Sequence, residues 1–144
     1  MKKNNKGFSL LELLIVVAII LIIATIAIPS LLRSRQAANE SAAVANLRTI
    51  NTAQVTYLSS NGGNYGDLSG LVSAGLLDTT FSSGNPKAGY NFSVTATGAD
   101  YTAFAERASS NTGRFNYYST PDAVVRYSTD STVAPAGQAG NAVQ

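Results

Sequence analysis

KGFSLLELLIVVAIILIIATIAIP, residues Lys6–Pro29, decides how the rest of this 144-residue chain is read. Residues 8–28 of it form an apolar run of 21 residues, broken only by Ser9, Glu12 and Thr25. As a helix rising ~1.5 Å per residue the run reaches ~31 Å, about the hydrocarbon thickness of a bilayer. It is apolar on every side, more than a domain of this size can bury. Lys2, Lys3 and Lys6 precede it. A basic flank on a lone span predicts a cytoplasmic N-terminus and a translocated remainder. The expectation is a single-span membrane protein with its bulk outside the cytoplasm.

Outside that stretch the composition excludes much chemistry. Cysteine and histidine are both absent. Disulfides, thiolate nucleophiles, Cys-based metal sites and the usual general base go with them. The net charge is +2, but without Lys2, Lys3 and Lys6 there are seven basic against eight acidic side chains, or −1. From Arg33 onward the balance is seven to seven, so the body carries no electrostatic footprint for phosphate. No cofactor, metal site or catalytic set emerges, and the chain reads as a non-enzyme.

The helical pattern continues past the span. Pro29 and Ser30 punctuate it, because an internal proline removes a donor and kinks a helix. Ala43, Leu47, Ile50, Gln54, Tyr57 and Leu58 then recur at three- and four-residue steps, with Asn46, Arg48, Thr49 and Asn51 on other faces. That spacing predicts an amphipathic helix ending near Ser59–Asn61, ahead of Gly62-Gly63. Residues 61–86 read as a connector containing a short helix with Asp67 as N-cap and Gly75 near its end. Tyr90, Phe92 and Val94 alternate with polar neighbours; YTAFAER (Tyr101–Arg107), Arg114–Tyr118 and Val124–Ser128 suggest further strands. The predicted fold class is α+β: a long N-terminal helix packed on an antiparallel sheet of three to four strands in 87–130. An apolar sheet face needs a cover, which the striped half, 29–60, supplies. The tail 131–144 reads as loose.

Glu12 is out of place. An ionisable group inside a span is costly and marks function, yet no Lys or Arg stands between Lys6 and Arg33. Cutting the chain after Gly7 would give Phe8 a cationic amine one helical turn from Glu12, where the helix dipole also favours a carboxylate. A neighbouring copy of the helix offers the same amine.

With these features the stretch resembles the N-terminal signature of type IV prepilins and the pseudopilins of type II secretion. The resemblance implies a basic leader, 1–7, ending at Gly7, cleavage by a prepilin peptidase, and N-methylation of Phe8. It implies that Glu12 is the assembly carboxylate and Pro29 the family's helix-breaking proline. Leu13, Leu14, Val17, Ile20 and Leu21 would pack in a filament core against copies of the chain. The partners implied are those copies, the peptidase, an inner-membrane assembly machinery, and the membrane itself before export into an extracellular pilus serving adhesion, motility or DNA uptake. Many pilins close their C-terminal region with a disulfide, which this chain cannot form.

Other readings compete. A signal peptide should not carry Glu12 or extend to 21 residues, and a plain signal anchor leaves the Gly-Phe-Glu spacing unexplained. A type II pseudopilin fits the signature, but the chain lacks tryptophan and the acidic, proline-bearing segment expected of major pseudopilins. A monomeric membrane-anchored binding module is the rival from another class. Tyr57, Tyr90, Tyr101, Tyr117, Tyr118 and Tyr127 with Phe92, Phe104 and Phe115 read as sheet core rather than nucleic-acid stacking. Arg33 and Arg35 read as a solvated helix face rather than lipid headgroup contacts. Asp67, Asp78, Asp100, Asp122 and Asp130 lack calcium-loop spacing, and the tripeptides at Asn39 and Asn91 fit glycosylation by a pattern common by chance.

Overall fold

The structure is a computed structural model describing residues 7–128 and 138–143. It divides into two compact units, Met1–Ser34 and Arg35–Gln144, and one helix, α1 (Leu10–Ser60), contributes to both. The leader lysines Lys2, Lys3 and Lys6 lie outside the described residues, as does most of the predicted loose tail.

In the first unit α1 has an 18-residue window of mean hydropathy 3.1 with none of it buried, long and apolar enough to cross a membrane. Pro29 lies inside the helix. Helical backbone continues through Pro29 and Ser30, so the pattern that runs on past the span belongs to one long helix, as expected. Proline deletes one amide donor and leaves the other hydrogen bonds of the helix available. Hydroxyls bond to the helix backbone on either side, Thr25 to the Ile22 carbonyl (2.7 Å) and Ser34 to the Ser30 carbonyl (3.1 Å). Ser30 is therefore an interior residue of the helix.

In the second unit the helix buries Ala43, Val44, Leu47, Ile50 and Ala53, together with Glu40, Asn51 and Gln54. Gly62 and Gly63 end it in left-handed conformation (φ 64° and 81°), with the Gly63 amide bonded to the Leu58 carbonyl. Glycine adopts that turn at no steric cost. A short helix α2 (Leu68–Ser73) follows, capped by the Asp67 carboxylate on the Gly70 amide at 2.8 Å. Asp78 caps the 3-10 turn Thr79–Phe81 in the same way.

The sheet is an antiparallel meander in the order β1 (Tyr90–Thr97), β2 (Asp100–Arg107), β3 (Asn116–Ser119), β4 (Val125–Ser128), β5 (Asn141–Ala142). Gly98, at φ 62°, opens the two-residue β1–β2 turn, a position where a tight hairpin favours glycine. Tyr90, Phe92, Val94 and Ala96 share one face with Tyr101, Ala103 and Ala105 and join the helix stripe in one apolar cluster. Two strands begin later than their hydrophobic runs suggest. The Arg114 amide donates to Glu40 and the Val124 amide to Asp122, so neither joins the ladder. The fifth strand is unexpected: Asn141 and Ala142 pair with Tyr127 and Arg126. A stretch too short and too polar to show periodicity becomes a strand because β4 offers it an open edge.

Candidate functional site: the N-terminal end of the apolar helix

Ser9 precedes the first helical residue, and its amide donates to Glu12 Oε2 at 2.9 Å, while its carbonyl accepts from the Leu13 amide. This is one half of an S-x-x-E capping box, in which the third-position glutamate reaches back to the cap amide. The Ser9-Leu-Leu-Glu12 spacing announces that contact in the sequence, and the reading by charge alone missed it. The contact turns the Glu12 carboxylate toward the start of the helix, where the Phe8–Ser9 backbone lies. Among the described residues no ion pair reaches Glu12.

Gly7 has open space where a β-carbon would sit, and its backbone is not left-handed. Nothing in the fold requires glycine there. Phe8 is exposed. Leu13, Leu14, Val17, Ile20 and Leu21 are also exposed, part of a series from Phe8 to Leu32 that shows 41–80% of each large apolar side chain. The structure thus places Gly7, Phe8 and Glu12 together at one helix end and leaves the packing residues uncovered. Pro29 stands apart from them, with Thr25, Ile26, Ser30 and Arg33 around a shallow depression.

The second unit offers polar structure rather than reactive chemistry. No group of three or more His, Cys, Asp or Glu able to hold a metal ion occurs among the described residues. Its principal ion pair is Glu40 with Arg114: the carboxylate takes the Arg114 backbone amide (2.7 Å), Nε (3.1 Å) and Nη2 (2.8 Å). Burial pushes the Glu40 carboxyl up, but the Arg114 hydrogen bonds and charge outweigh it and hold the group below its usual range. Gln36 and Asn39 donate to the carbonyls of Ser110 and Thr112, so one helix face grips the whole β2–β3 loop. That use half-buries Asn39, whereas Asn91 is exposed on β1. Asn51, expected on an outer face, is buried instead, accepting from the Tyr101 hydroxyl (2.9 Å) and donating to Ser119 Oγ (2.8 Å). Extending the apolar stripe one turn back from Ala43 points to Glu40; nothing in the pattern singles out Arg114. Tyr90, Tyr101, Tyr117 and Tyr118 are buried.

An N-terminal helix long and apolar enough to cross a membrane, with a lone carboxylate near its start, and a second unit of helix packed on antiparallel sheet define the class: an α+β chain whose first unit fits a membrane anchor. Residues 2–28 match the prokaryotic N-terminal methylation motif. Over 131 residues, 91% of this chain and 92% of the relative, the sequence is 34% identical to the type IV wide pilus major component PilA4 of Thermus thermophilus. Over 56 residues, 39% of this chain and 26% of the relative, it is 46% identical to the type IV major pilin protein PilA of Myxococcus xanthus. The chain belongs to the type IV pilin family and is a structural subunit, a pilin.

Proposed function

We propose that this pilin is made as a membrane-inserted precursor with its N-terminus in the cytoplasm. A prepilin peptidase cuts it between Gly7 and Phe8, Phe8 is N-methylated, and an inner-membrane assembly machinery polymerises it through α1 into an extracellular type IV pilus. Hydrolysis of the Gly7–Phe8 bond leaves a carboxylate on Gly7 and an ammonium on Phe8. Methylation keeps that cation and removes one of its hydrogens. The observation that carries the reading is the exposed apolar helix with Glu12 folded back toward its own start. In lipid the apolar side chains are at no disadvantage; outside it, at ~25 cal/mol per Å² of apolar area, they must be covered. Copies of the same helix supply the cover. An unpaired buried carboxylate is worth several kcal/mol of penalty per ion, so Glu12 admits only packings that bring it an amine. Glu12 then sets register, Leu13, Leu14, Val17, Ile20 and Leu21 form the filament core, and Pro29 adjusts the helix where it leaves that core.

Because the fold tolerates a side chain at residue 7, Gly7→Val isolates the peptidase's demand. Uncut, membrane-inserted precursor is the expected product, with a folded second unit. Mass spectrometry of the wild-type N-terminus should find methylated phenylalanine. A mature chain that begins elsewhere, or keeps its first seven residues in working fibres, would falsify the proposal.

A further inference from the structure

Strand register lines up Tyr117, Tyr127 and Asn141 in one row across β3, β4 and β5. Tyr117 pairs with Ala105 on the other side, so the row lies on the sheet face that meets α1. Beside this row the second unit holds a cavity of about 680 Å³. Glu40 from α1 and Arg114 and Phe115, just ahead of β3, complete its walls with the three residues of the row. The rings of Phe115 and Tyr127 stand 4.9 Å apart and give the cavity an aromatic side. Its two charged residues are paired with each other, so the walls carry no net charge.

The polar groups of this cavity are not all spent. Elsewhere in the core the Tyr90 hydroxyl donates to the Phe115 carbonyl and the Tyr101 hydroxyl to Asn51, each at 2.9 Å. Tyr117 is only 5% exposed, yet its hydroxyl has no partner among the described residues. Unlike the Tyr118 hydroxyl it is not sealed from solvent, and the opening beside it is the cavity. Burial, with the Glu40 charge adding and the Arg114 charge subtracting, pushes this phenol up to about 12. It is therefore a proton donor at neutral pH. Three donors from Arg114 occupy the Glu40 carboxylate, which has room for about four. The Arg114 side chain is largely exposed and keeps further N–H groups free.

These walls select among ligands by chemistry. An ion finds no net charge to meet. An apolar molecule would strip water from the Tyr117 hydroxyl and Glu40 and return nothing. What fits is neutral, apolar on one face, and rich in groups that both donate and accept. We propose that the cavity binds a neutral pyranose sugar, its C–H face on the Phe115–Tyr127 side and its hydroxyls on Tyr117, Glu40, Arg114 and Asn141. All of these residues belong to the second unit, so the site does not depend on how α1 polymerises.

The test uses the isotope-labelled full chain in a detergent without a sugar headgroup, titrated with maltose, lactose and cellobiose and followed by amide shifts. At least one of them should give saturable shifts centred on Arg114–Tyr117, Tyr127 and Asn141. Digalacturonic acid, an acidic disaccharide, should bind about tenfold more weakly or not at all. Tyr117→Phe keeps the ring and removes the hydroxyl; affinity should fall about tenfold with the melting temperature unchanged. Longer soluble oligomers of the preferred sugar separate two sources: tighter binding assigns the site to a polysaccharide chain, equal binding to a free sugar. No saturable shift with any neutral sugar, or shifts that map elsewhere, overturns the proposal whether or not the variant folds. So does unchanged affinity in Tyr117→Phe, or preference for the acidic disaccharide.

Discussion

Two glutamates on one helix, 28 residues apart, meet opposite circumstances. Glu40 is buried, with three donors from Arg114 around it. Glu12 sits on an exposed apolar surface with one backbone amide for company. The first unit leaves its large apolar side chains uncovered and, among the described residues, its carboxylate without an ion pair. The second unit completes its own core and pairs its own buried charge. On the proposed function, a subunit that passes from membrane to filament benefits from this division. The part that changes surroundings carries the unmet demand, and the part that does not is stable throughout.

The sharpest way to break the comparison is Glu12→Leu. The precursor should insert normally and the second unit should melt at the wild-type temperature, while fibres fall to few or none by electron microscopy. Normal fibre numbers would show that Glu12 does not set register. Leu47→Ala, at a fully buried position, should do the reverse: about 2–5 kcal/mol of stability is lost from the second unit by thermal or denaturant unfolding, with membrane insertion untouched. An unchanged melting curve would contradict the core assignment.

Glu40→Gln comes next in size. Breaking a fully buried pair costs about 3–5 kcal/mol, but the Arg114 side chain is 61% exposed, so water recovers part of the loss and about 1–2 kcal/mol is expected. Its pH signature is specific. The folded Glu40 carboxyl titrates below its ordinary value, so its contribution is full above the unfolded carboxyl's pKa and disappears as pH falls through the folded one. Asp122, held down to about 2 chiefly by its hydrogen bond from Arg126, works in the same direction. Wild type should therefore lose stability in acid more steeply than Glu40→Gln, and parallel curves would remove Glu40 from the account. The smallest effect is Asp67→Ala at the α2 cap, about 1 kcal/mol, read from hydrogen exchange of the Gly70 amide.

The apolar helix was legible because length, hydropathy and flanking charge are local properties, written in consecutive residues. The same holds for the Asp67 cap, the β1–β2 hairpin and the stripe Ala43–Leu47–Ile50–Gln54, whose periods of 3.6 and 2 need no partner to be seen. The candidate residues Gly7, Phe8 and Glu12 fall within six positions, so their proximity was readable from spacing alone. Ser9 was equally readable and became visible once the Glu12 contact was in view. Tertiary structure alone decided what depends on distant partners. Glu40 meets Arg114 across 74 residues, Asn51 meets Ser119 across 68, and Asn141–Ala142 becomes a strand because β4 is there to pair with it. Pro29 belongs with these: its ring argues locally for a break, and the cooperative hydrogen bonding of the helix around it overrides that preference.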